Sequence, residues 1–152
     1  MKSTAPSSEL GWAPSRIGLM RSVCELVGIV LLRFRPAQRM WGTWLVGVNA
    51  AGLFFLMHIE AQVVVGAVGV ALLGQALIYQ RTRFIRLLGT THILWVPMLA
   101  WIGSRLDTLP TGEVSFHTWL LILIATNAIS LVIDAWDATR FVLGERQPHY
   151  TW

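Results

Sequence analysis

Four long apolar stretches alternate with clusters of arginine, and nearly all the positive charge collects at one set of their ends. The stretches cover residues 41–57, 63–79, 87–103 and 118–136. Arg33, Arg35 and Arg39 precede the first. Arg81, Arg83 and Arg86 fill the gap between the second and third, and Arg140 and Arg146 follow the fourth. Lys2, Arg16 and Arg21 lie upstream, so of the 12 lysines and arginines only Arg105 stands on the other side of the alternating path. A helix of about 20 apolar residues crosses the ~30 Å hydrocarbon core of a bilayer, and basic residues gather at cytoplasmic ends. The pattern predicts an all-α integral membrane protein, a bundle of four transmembrane helices with both termini cytoplasmic.

Composition agrees. The chain is 55% hydrophobic and only 13% charged, against about 25% charged in soluble domains. A net charge of +4 would admit nucleic acid as a partner, but these basic residues flank apolar spans, where they set topology. The lipid bilayer is the expected partner and nucleic acid is not. A single cysteine, Cys24, excludes an intrachain disulfide or a cysteine metal cluster. Residues 1–15 read as a disordered cytoplasmic tail without the apolar core of a signal peptide, which points to a bacterial cytoplasmic (inner) membrane.

Residues 16–36 read as an interfacial amphipathic helix, with an additional span over 17–34 as the alternative. Ile17, Met20, Cys24, Val27 and Leu31 form its apolar face, with Arg21, Ser22 and Glu25 on the opposite one. The four-helix membrane domain occupies 37–144 and a second cytoplasmic tail 145–152. One continuous helix over 41–79 would be about 58 Å long and would put arginine clusters on both sides. A turn is therefore expected at residues 58–62. Pro97 should kink the third span. Small residues four apart, Gly47 and Ala51, and the stripe Ala67, Ala71 and Gly74, offer close helix packing within the chain or in an oligomer.

Polar residues inside spans are costly and become functional candidates. Asn127, Ser130, Asp134 and Asp137 recur at spacings of three and four and share one face of the fourth helix. His92 lies about 9 Å of helix rise from Arg86, at a depth close to that of Asp134. In one reading Asp134 and His92 form an ionisable pair facing a cavity. In the other, taken as the simpler expectation, the carboxylates pair with Arg83, Arg86 or Arg140 and staple the inner helix ends. Asn49 and Gln75 are expected to hydrogen-bond between helices as structural glue.

At the outer ends His58, Glu60 and His117 make a weaker group, with ligand types suited to zinc but poor helical spacing. No cofactor is expected, apart from a metal ion at that group. The Walker loop, dinucleotide-binding glycine fingerprint, HExxH and GxSxG patterns are all missing from the sequence. The leading functional expectation is a non-catalytic accessory or assembly subunit, or a homo-oligomeric membrane component, partnered by its own copies or another membrane protein. A small proton-linked carrier using Asp134 and His92 is the alternative. A membrane enzyme acting on lipid or quinone is third.

Overall fold

A computed structural model describes residues 18–109, 112–148 and 150–152. The expected N-terminal tail and Ile17 lie outside the described residues. All regular structure among the described residues is helical, apart from one isolated antiparallel bridge between Phe84 and Tyr150. Helix α1 (Leu19–Gly28) continues through a π-helical turn at Ile29–Arg33. After a short break, Pro36 starts α2 (Pro36–Ala50) with the fixed φ that suits a first helical turn. α2 tightens into a 3-10 helix at Ala51–Phe55. α3 spans Ile59–Thr82. A second 3-10 segment, Arg86–Leu94, runs into α4 (Trp95–Arg105). α5 covers Val114–Val142 and ends at Gly144, whose φ of 115° is the left-handed conformation that glycine adopts freely.

Three of these helical runs, Ile59–Thr82, Arg86–Thr108 and Val114–Val142, are long and apolar enough to cross a membrane. Their outward faces carry apolar side chains such as Val70, Leu73, Leu77, Ile93, Val96 and Val132. The polar side chains of Ser22, Glu25, Asn49, Glu60, Asn127 and Ser130 are buried instead.

The turn between α2 and α3 is shorter and earlier than its composition suggests. His58 caps α3 in extended conformation and Ile59 is already helical, so Glu60 and Gln62 belong to the helix rather than to a loop. The Gln62 amide donates to the Leu56 carbonyl, 2.9 Å, and ties the turn to the first helical turn.

Pro97 acts on the chain before it rather than as a mid-helix kink. It sits in the first turn of α4, where a missing N–H is tolerated. The nine residues ahead of it wind as 3-10 helix, which rises about 2.0 Å per residue and repeats every three residues.

Helix α1 turns its polar side to the protein. Ser22, Glu25 and Ile29 are buried, while Met20 and Cys24 on the apolar face are exposed. Glu25 takes the Tyr79 hydroxyl at 2.8 Å and the Arg21 guanidinium at 2.8 Å, with Arg83 at 3.7 Å. Burial pushes the Glu25 carboxyl up, but the Arg21 and Tyr79 hydrogen bonds and the charges of Arg21 and Arg83 outweigh it and hold the group below the usual carboxylate range.

Two apolar cores result. One, around Val64, Trp95, Ile102, Phe116 and Leu120, lies at the ends remote from the arginines. The other, around Leu26, Ile29, Tyr79 and Leu88, joins α1 to α3 at the arginine end. The stripe of small residues on α3 is used inside the chain, since Ala71 is buried and a β-carbon at Gly74 would stand 3.0 Å from the Thr91 methyl.

A candidate polar cavity between α2, α3 and α5

The 3-10 winding of residues 86–94 decides the geometry of the site. Because its period is three, Arg86, Gly89, His92 and Trp95 stack in one column. The column packs against the face of α5 that carries Asn127, Ser130, Asp134 and Asp137. At its foot Arg86 holds Asp137 in an ion pair. One turn on, Gly89 lets the backbones approach so closely that any β-carbon there would overlap Asp134 Oδ1. At the next turn His92 Nδ1 meets Asp134 Oδ2 at 2.8 Å. The other imidazole nitrogen, Nε2, lies 2.9 Å from the Gln75 side-chain nitrogen on α3. The ring of Trp95 stacks on His92 with centroids 4.0 Å apart. Its buried indole N–H has no hydrogen-bond partner among the described residues.

In the tautomer whose Nδ1–H donates to Asp134, Nε2 accepts from the Gln75 amide. Among the described residues Asp134 has no arginine at hydrogen-bonding distance, while Arg86 is committed to Asp137 and Glu145. Gln75, His92, Ser130 and Asp134 line a cavity of about 1010 Å³ that extends to Arg35, Arg86 and Arg140. Its remaining wall is largely apolar and comes from α1 and α2, including Leu26, Val30 and Leu45.

Of the residues singled out from sequence, His92, Asp134, Asp137, Ser130 and Arg86 do converge. Arg83 does not join them, since it turns to Glu25 from a backbone with φ of 62°. Asn127 is spent in a reciprocal amide pair with Asn49, 2.9 and 3.0 Å, which joins α2 to α5 beyond the cavity. Asp137 and Arg140, three apart on α5, take separate partners, Arg140 bonding Glu145 at 2.8 Å. Gln75, expected as glue between helices, bonds His92, and Gly89 and Trp95 complete the column. The spacing 86, 89, 92, 95 upstream of Pro97 is the signal that marks them.

In the outer group Glu60 is buried and binds Arg105 at 2.7 Å, and His58 binds Glu113 at 2.9 Å while stacking on Phe116. The His117 backbone N–H bonds the Glu113 carbonyl at 3.1 Å. Among the described residues no three of His, Cys, Asp and Glu form a group that could hold a metal ion. Arg105, the one basic residue on that side, competes for the carboxylate that the metal reading required. Comparison with models of known protein families, with curated proteins and with solved structures finds no match.

Proposed function

We propose that this chain is a four-span protein of a bacterial inner membrane, with both ends of the chain on the arginine-rich side, and that it works as a small proton-linked carrier. Buried polar groups, outward apolar side chains and the one-sided arginines support the membrane reading. α2 with its 3-10 extension supplies the fourth span. The observation that carries the functional reading is the contact of Asp134 with His92, 2.8 Å, on the wall of the cavity, while the neighbouring Asp137 takes the arginine. A carboxylate stapled by arginine stays charged. One paired with a neutral imidazole has its charge balanced when that ring gains a proton.

The chemistry follows from the donors. Protonation puts a hydrogen on Nε2, where the Gln75 amide nitrogen then cannot donate, so Gln75 must present its oxygen or withdraw. Proton gain on His92 thereby alters the contact between α3 and the column, and so the cavity they share. Trp95 lies face to face with the ring, so a change at His92 is felt at the top of the column as well.

Vesicles containing the purified protein and trapped pyranine test this. A panel of small amines, carboxylates and sugars is offered across a pH gradient. At least one should move protons in the parent protein, and Asp134→Asn should abolish that movement with the protein still inserted. No response to any solute, or an unchanged response in Asp134→Asn, overturns the reading.

The accessory-subunit reading draws on a different observation. Gly66 and Gly69 on α3 have open space beside them, a flat surface on which another helix could pack. It predicts that the protein leaves mild detergent extraction in a complex with partners or copies of itself. A lone monodisperse monomer counts against it.

A further inference from the structure

The chain beyond α5 doubles back and lines the cavity at the end where Arg35, Arg86 and Arg140 lie. Gly144 makes the reversal. Glu145 is then held by Arg86 at 2.9 Å and by Arg140 at 2.8 Å. Gln147, Pro148 and Tyr150 lie on the cavity wall itself. The Tyr150 ring wedges between Phe34, 4.7 Å, and Phe84, 5.6 Å, its hydroxyl donates to Gln38, and its backbone forms the bridge to Phe84. The indole of Trp152 rests directly on Gly28, where any β-carbon would overlap it, and the Arg33 guanidinium lies 5.9 Å from the ring centroid.

These seats belong to different elements: α1, the joint before α2, α2 itself and the joint before the 3-10 column. Phe34, Gln38 and Phe84 among them also line the cavity. The segment adds no helix and no continuous ladder of its own. Glu145 is exposed and Trp152 is 54% exposed, so the contacts that hold it include rings in shallow seats, ion pairs in contact with water, an exposed hydroxyl hydrogen bond and a single backbone bridge. Such contacts are weak singly and break one by one. A covering of this kind closes an opening without locking it.

We infer that the described residues following Gly144, 145–148 and 150–152, act as a displaceable strap that governs access to the cavity from the arginine side. It rests on the cavity proposed above as the carrier's binding site and adds its regulation. Release of Tyr150 from Phe34 and Phe84 loosens the strap over the cavity, and the way to Ser130 and His92 opens.

The test is the rate at which a charged, membrane-impermeant thiosulfonate labels a cysteine in the cavity. Ser130→Cys in a Cys24→Ser background places that thiol on the buried wall. Leu120→Cys, fully buried in the remote core, reports general loosening. Tyr150→Ala, and separately Trp152→Ala, should speed labelling at 130 by about two- to tenfold, the change in opening expected from losing one aromatic contact, with position 120 unaffected. Unchanged labelling at 130, or equal acceleration at 120, overturns the strap. Labelling reads access and not transport, so failure here is distinct from failure of the carrier reading.

Discussion

At the scale of single residues, the site depends on an atom that is missing. Gly89 is the only residue type that leaves Asp134 where it is, because a β-carbon would occupy the place of its carboxylate. Gly89→Ala should push Asp134 off His92 and cost about 1–3 kcal/mol through overpacking. Thermal unfolding in detergent checks the stability. The shift of the His92 ring nitrogens in ¹⁵N spectra checks the contact, and should move toward that of Asp134→Asn. Unaltered histidine signals in Gly89→Ala would show that the column tolerates the extra carbon. Asn49 and Asn127 give a contrasting case. Their paired amides satisfy each other in a buried setting, a contact worth about 0.6 kcal/mol in membrane helices, and nothing in them titrates.

At the scale of elements, the 3-10 segment determines which residues meet. Six residues separate Arg86 from His92, two full turns at three residues per turn. In an α-helix the same six residues would leave His92 about 120° away from Arg86 around the axis. Pro97→Ala restores the amide proton that Pro97 lacks and removes a ring that crowds the preceding carbonyl. The segment should then relax toward α-helix and His92 should lose Asp134. The expected result is a loss of the Asp134-dependent proton movement with the protein still inserted, and hydrogen exchange over residues 86–94 should slow as α-type bonds form. Retained activity with unchanged exchange would mean that packing against α5, not Pro97, holds the 3-10 form.

This element also shows how far the sequence can be read. The apolar lengths and the arginine ends gave the helices, their order and the shared depth of His92 and Asp134. Helical spacing gave the α5 face, because α5 is an ordinary α-helix. The column opposite was hidden by the assumption of the same period. Helix α1 misleads for another reason. Its amphipathic pattern is plain, but a pattern does not say which solvent lies outside, and here Glu25 faces protein while Met20 faces out. The partner of Asp137 was not legible, because more than one arginine could reach it and only tertiary packing chooses between them.

At the scale of the whole molecule, the strap should respond to acid. Arg140, by hydrogen bond, holds the Glu145 carboxyl below its ordinary 4.5, the charges of Arg140 and Arg86 adding to this. A depressed carboxyl pKa means that the anchor is complete above the ordinary value and is lost as pH falls through the lowered one. The other charged group facing Arg86 is Asp137. A spin label at Gln147→Cys, in the Cys24→Ser background, should be immobile at neutral pH and gain mobility below pH 4.5. Glu145→Gln should be mobile throughout. A label equally immobile in both proteins at neutral pH would place the anchor elsewhere.

Arg86 belongs to two structures at once. It closes the foot of the column through Asp137 and holds the root of the strap through Glu145. Two equilibria that draw on one guanidinium are thermodynamically linked, and linkage is reciprocal. If freeing the strap changes how firmly Asp137 is held, then a solute or proton arriving at Asp134 and His92 must change, by the same factor, how readily the strap lets go.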